Sequence, residues 1–265
     1  MKTDYQIIHP QLRQIAKMSP KFSFGKKNLW LITKMMNLLP GSKGPEDVFI
    51  SAQDNREKIH LRIYKPESSD IPTPVLLWMH AGGYVMGRPE MDDRSSAEYA
   101  YELGITVVSV DYRLAPKYPF PAAFNDCVSA LNWVVSNSQQ LGVDSNRIAI
   151  GGASAGGGLA AALIQYTHDR QEINPIFQLL VYPMLDDRTV LRADVDDSNN
   201  VSWDQKSNRF GWESYLGQKC GSNEVPIYSV PARRTDLSGL PPAWIGVGSL
   251  DIFHDEDIAY AQRLT

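Results

Sequence analysis

The sequence has 265 residues, 43% of them hydrophobic and 10% aromatic, enough apolar material for one large globular domain and too much for a solvated, disordered chain. Twenty-six lysines and arginines against 30 aspartates and glutamates give a net charge of −4, which excludes a basic nucleic-acid footprint. No apolar run approaches the roughly 18 residues of a membrane span, and Asp4, His9 and Pro10 fall where a signal peptide needs an unbroken apolar stretch. Cys127 and Cys220 fit neither a metal motif nor a disulfide framework, so the expected setting is reduced and cytoplasmic.

In chain order, Gln11–Met18 and Lys26–Leu39 mix Lys and Arg with Leu, Ile, Met and Trp at helical spacing, then stop at Pro40-Gly41; they predict two short amphipathic helices. Val48–Ala52 and Ile59–Tyr64, separated by the polar turn Gln53–Lys58, predict an antiparallel hairpin. Nearly continuous apolar runs follow at Val75–Met79, Thr106–Val110, Ile148–Gly152, Phe177–Val181 and Trp244–Val247. They alternate with helical patterns at Met91–Leu103, Ala122–Ser138, Ser154–Arg170 and Glu256–Leu264. This alternation predicts an open, mostly parallel α/β sheet covered on both faces, with ligands bound beyond the carboxyl ends of its strands. Asp186–Asn208 breaks the rhythm, being acidic and without strong periodicity. It reads either as a solvated acidic loop or, with the amino-terminal helices, as part of a lid.

The strongest chemical signal is Gly152-Ala153-Ser154-Ala155-Gly156, a G-x-S-x-G run between a predicted strand and a predicted small-residue helix. That context puts a serine on a strained strand-to-helix turn, where small neighbours let the backbones approach and free N–H groups at the helix start favour developing negative charge. A glycine-rich turn that merely packs helix on strand is the bland alternative. Seventy-four residues upstream, His80-Ala81-Gly82-Gly83-Tyr84 follows another strand. Alone it could be an ordinary strand-ending turn. Paired with Ser154, the Gly82, Gly83 and Ala155 N–H groups would form an oxyanion hole, in which one donor is worth ~3 kcal/mol of barrier.

These motifs, with Asp111-Tyr112-Arg113-Leu114-Ala115-Pro116, Phe120-Pro121-Ala122-Ala123 and Leu237-Ser238-Gly239-Leu240-Pro241-Pro242, are similar to those of the hormone-sensitive-lipase-like (bacterial family IV) carboxylesterases of the α/β-hydrolase superfamily. The resemblance covers roughly residues 46–265. It implies an eight-stranded α/β-hydrolase sheet, an amino-terminal helical cap (1–45, joined by 186–215) and hydrolysis of short acyl esters without cofactor or metal. It also assigns His80 to ordering its loop and raises a homodimer. Two positions depart from the family pattern: Ala81 replaces the first of three glycines, and Ala153 replaces a residue that is often acidic.

Asp251, in Gly248-Ser249-Leu250-Asp251 after the last predicted strand, resembles the family's triad acid and keeps the order serine, acid, histidine. Its alternative is a helix N-cap, and Asp186 is the fallback acid. Tyr84, Trp203 and Phe210 are candidate pocket aromatics, each equally readable as packing. The base has no counterpart. His168 is 14 positions along a helix from Ser154, about 21 Å away. His60, His80, His254 and His9 each have a structural or surface reading. With Thr265 only 14 residues past Asp251, the expectation is a chain lacking the eighth strand, the histidine loop and the last helix. A ligand-binding protein that has lost catalysis, or an amidase or thioesterase, are the alternatives on the same scaffold.

Overall fold

The computed structural model describes residues 4–19, 23–36, 38, 40–54, 57–68, 70–200 and 202–265. The end of the expected helix at Leu39 and the middle of the turn Gln53–Lys58 lie outside the described residues. The expected hairpin is present: β1 (Glu46–Ser51) pairs antiparallel with β2 (Lys58–Tyr64), setting Val48 opposite Leu61. From β2 the chain runs through β3 (Thr73–Met79), α3 (Asp93–Leu103), β4 (Thr106–Asp111), α4 (Ala122–Ser136), the single turn α5 (Ser138–Leu141) and β5 (Val143–Ala153). The second half is α6 (Ala155–Arg170), β6 (Phe177–Val181), α7 (Gln205–Leu216), β7 (Ala243–Gly246) and α8 (His254–Leu264).

One seven-stranded sheet has the order β1-β2-β4-β3-β5-β6-β7. β2 joins β4 antiparallel, and every later pairing is parallel. The apolar runs at the centre are buried almost throughout, as strands covered on both faces must be. Alternate residues feed two cores. Val75, Leu77, Met79, Val108, Ile148 and Ile150 face the larger one, together with α4 and α6. Leu76, Trp78, Val107 and Ala153 face the smaller one, with Ala100 of α3.

α6 is buried all round over its first eleven residues, Ala155 to Gln165. Its Gly and Ala content explains this: a helix with almost no side chains on its first turns lies directly on the sheet. β7 is exposed to half-exposed along its length, with Trp244 at 51%, and forms an open margin among the described strands.

α7 is absent from the sequence-based expectation. It opens on Asp204, whose carboxylate accepts from the Ser207 N–H at 2.8 Å, and closes at Gly217 with φ 68°. Before this cap the described part of the 186–208 stretch holds only the 3-10 turn Thr189–Leu191. The amino-terminal segment contributes a 3-10 turn (Pro10–Leu12) and two helices, α1 (Arg13–Met18) and α2 (Leu29–Met36). It docks on the start of α7: Ser23 donates to the Asp204 carboxylate, and the Phe24 N–H donates to Ser207 Oγ at 2.8 Å. No described helix is long and apolar enough to cross a membrane.

Candidate active site

β3 and β5 are neighbours with Met79 paired to Gly152, so the turns after them emerge side by side at the carboxyl edge. Ser154 sits between β5 and α6 with φ 55° and ψ −119°, backbone geometry that costs a non-glycine residue about 1–3 kcal/mol. The turn is held by the Ser154 N–H donating to Val181 O at 2.9 Å and by Ser154 O accepting from Gly158 and Met184 N–H. Small neighbours are obligatory: a methyl group on Gly152 or Gly156 would collide with the backbone of the adjoining turn or of β3. Ser154 itself is half-buried, and its Oγ has no hydrogen-bond partner among the described residues.

The 80–84 loop is ordered from beneath. The His80 ring is fully buried, stacks on Tyr112 at 4.2 Å and places Nδ1 2.7 Å from Ala81 O. Burial lowers its pKa, so the ring is neutral, and Nδ1–H is the donor to Ala81 O. The Tyr112 hydroxyl donates to His80 O at 2.7 Å. Gly82 O accepts from Val85 and Met86, which curls the loop and turns Gly82 and Gly83 to φ 141° and 59°. Among the described residues the Gly82, Gly83 and Ala155 N–H groups carry no backbone hydrogen bond. Three donors at two adjoining turns thus remain free for an anion.

Val181 of β6 pairs with Gly246 of β7, which brings the Gly248–Asp251 turn to the same edge. Asp251 is half-buried, and its Oδ1 accepts from the Phe253 N–H at 3.0 Å. Burial raises its pKa, opposed by that N–H and by His254. The fallback acid Asp186 is committed to Arg188 at 2.7 Å.

Residues 76–265 match the α/β-hydrolase fold family. The chain belongs to that family. This α/β-hydrolase is 36% identical over 208 residues to Esterase LipI of Mycobacterium tuberculosis (78% of this chain, 65% of that protein). It is 35% identical over 225 residues to Carboxylesterase NlhH of the same species (80% and 67%). The chain thus spans about two thirds of the length of these curated relatives. Among solved structures it superposes on a bacterial heroin esterase with TM-score 0.86 at 36% identity, covering 98% of this chain and 85% of that one. It superposes equally well on esterase LipW from Mycobacterium marinum, at 33% identity and with 99% and 84% covered. The fold and the family read from the sequence are borne out.

No histidine among the described residues hydrogen-bonds Ser154 or the Asp251 carboxylate. His60 binds Asp47 at 2.7 Å on β2, and the His168 ring lies against Gly239. His9 precedes the 3-10 turn, accepting from Leu12 through its carbonyl. His254 opens α8 with Nδ1 on Asp255 at 2.9 Å, and its backbone N–H donates to Asp251 O at 3.1 Å.

The aromatics divide. Tyr84 is 1% exposed, stacked on Tyr215 at 4.0 Å with its hydroxyl donating to Met184 O. It belongs to the core beneath the loop, which corrects its expected place in a pocket wall. Trp203 lies across the loop, its ring filling the space a side chain on Gly83 would need. Phe210 is half-buried on α7 and packs against the larger core.

Sequence reading missed Glu256. Fully buried at the start of α8, it accepts from the Leu185 and Asp186 N–H groups at 2.7 and 3.1 Å and from the Thr189 hydroxyl. It ties the segment after β6 to the helix that follows Asp251, and burial pushes its pKa up to about 8. Asp255-Glu256-Asp257 was the available signal, but three acids in a first helical turn read equally as dipole partners. Among the described residues no cluster of His, Cys, Asp or Glu could hold a metal ion.

Proposed function

We propose that this chain carries the catalytic body of a serine carboxylesterase that cleaves short-chain esters through an acyl-enzyme. The supporting observation is Ser154: strained at φ 55°, half-open to solvent, and flanked by the free Gly82, Gly83 and Ala155 N–H groups. Ser154 Oγ attacks the acyl carbon as its proton passes to a base, and the carbonyl oxygen becomes an oxyanion held by the three N–H groups. The base returns the proton to the leaving alcohol. Water then repeats the addition and releases the carboxylic acid.

The base in this reading is a histidine other than the five in these 265 residues, held in its tautomer by Asp251. The amino-terminal segment and the 186–215 stretch form the cap in this reading, supported by Phe24 packing at 5.4 Å on Trp203, whose ring lies against Gly83. Trp203 and Phe210 border the acyl side. A cytoplasmic setting, supported by two free buried cysteines, and a homodimer belong to the same reading.

The test is labelling with a fluorophosphonate probe, together with hydrolysis of a short-chain p-nitrophenyl ester. Ser154→Ala should abolish both. The chain of these 265 residues alone should turn over on the order of 10⁶-fold below an intact serine hydrolase, since none of its described histidines meets Ser154 or the Asp251 carboxylate. Hydrolysis by that chain at an ordinary esterase rate would place the base among the five histidines. Absence of labelling in a chain that contains the base would favour a ligand-binding role.

A further inference from the structure

We propose that the amino-terminal segment docks this protein on an anionic phospholipid surface. Charge is sharply divided along the chain. Residues 1–45 hold eight lysines and arginines against one aspartate, a net +7, while the remainder holds 18 basic and 29 acidic residues, a net −11. A chain of modest overall charge is therefore a strongly cationic segment on a strongly anionic body.

The cationic segment is also where large apolar side chains face water. α2 is apolar on two sides. Leu29, Ile32 and Met36 pack against the core, while Trp30, Leu31 and Met35 stand 70, 53 and 61% exposed on the outside. Helices apolar all round are normally covered on all sides. Ile15 and Met18 of α1 and Leu38 extend the same kind of surface at 64, 78 and 76%.

The lysines fit a lipid boundary. Lys26, Lys27 and Lys34 are exposed around these side chains, and Lys34 Nζ sits 5.2 Å over the Trp30 ring. Exposed Trp, Leu and Met flanked by lysines, whose long stems let the charge reach headgroups, is the composition of an interfacial helix. A second copy fits worse, because face-to-face pairing sets +7 against +7. The −11 body is repelled by the surface that attracts the segment, so charge alone orients the molecule segment-down. The inference does not depend on the reaction proposed for Ser154.

The experiment is co-sedimentation of the full chain with vesicles of phosphatidylcholine containing about one-third phosphatidylglycerol, and with phosphatidylcholine alone. We expect binding to the anionic vesicles at least about tenfold tighter than to the neutral ones, falling steeply as salt rises from about 0.05 to 0.5 M. Each lysine near such a surface is worth about fivefold, so Lys26→Gln/Lys27→Gln/Lys34→Gln should weaken binding by about 10²-fold. Trp30→Ser/Met35→Ser should remove it with the melting temperature retained, since both side chains face outward. Ser154→Ala should bind like the parent, which separates this inference from the esterase reading. It is overturned if the parent fails to sediment with anionic vesicles or if the triple lysine variant binds as tightly as the parent. It is equally overturned if Trp30→Ser/Met35→Ser abolishes a dimer in ultracentrifugation while leaving vesicle binding intact.

Discussion

Replacing Asp257 by asparagine should stabilise the fold at neutral pH by about 4 kcal/mol, yet leave it nearly unchanged near pH 4. Asp257 is fully buried on the first turn of α8, and neither carboxyl oxygen has a hydrogen-bond partner among the described residues. Burial, and then the neighbouring Glu256 and Asp251 carboxylates, push its pKa up from 3.8 to about 10. Between those values the folded chain holds a proton that the unfolded chain has released. Stability contributed by this group is therefore complete in acid and is lost as pH rises, at about 1.4 kcal/mol per unit. From 3.8 to pH 7 the loss is about 4 kcal/mol, a large share of the 5–15 kcal/mol typical of a domain. Asparagine keeps the shape and the unpaired polar atoms but cannot ionise. Glu256 acts in the same direction, but with a pKa of about 8 its share is exhausted there. Above about pH 8 the loss continues through Asp257, joined above about pH 9 by the Cys127 and Cys220 thiols, whose pKa burial also raises, so the difference between parent and variant isolates the Asp257 share. Urea unfolding of parent and variant across pH 4 to 10 measures the gap. Curves that run parallel over the whole range would refute the reasoning, because they would mean that Asp257 ionises alike in both states.

Two further outcomes follow from the geometry. Arg113 chelates the fully buried Asp126 through Nε and Nη2 at 2.8–3.1 Å, so Arg113→Met should destabilise by about 3–5 kcal/mol in thermal or urea melts by stranding that carboxylate, and Arg113→Met/Asp126→Leu should recover much of the loss. Gly83→Ala places a methyl group in the Trp203 ring at φ 59°; it should cost about 1–3 kcal/mol and slow fluorophosphonate labelling, and adding Trp203→Ala should restore the stability more than the labelling rate.

The central sheet was legible because parallel strands buried on both faces are nearly continuous apolar runs, as Val75–Met79 is throughout and Val107–Val110 is but for the buried Ser109. The turn at Ser154 was legible for a related reason: Gly152 and Gly156 leave no room for any other residue. α7 was not, since its signals are an Asp204 cap and a terminal Gly217 bracketing a polar stretch of weak periodicity. Its buried Ser207 and Asn208 belie the usual pattern of apolar residues inside. Tyr84 shows the limit for side chains. Its place in the motif fixes the backbone, but whether the ring turns to a pocket or to Tyr215 depends on α7, which is distant in sequence. Asp257 could not have been foreseen either, because a third acid at a helix start gives no sign that it faces inward.

Phe24 packs on Trp203, and Trp203 packs on Gly83, so residues 179 and 120 positions apart bear on one another in series. Whatever displaces Phe24, whether a proteolytic nick nearby or a bound surface, acts through those two contacts on the peptide units at the strand edge. The segment that carries Phe24 is thus a handle on the 80–84 loop, and alterations made there for convenience in purification reach that loop.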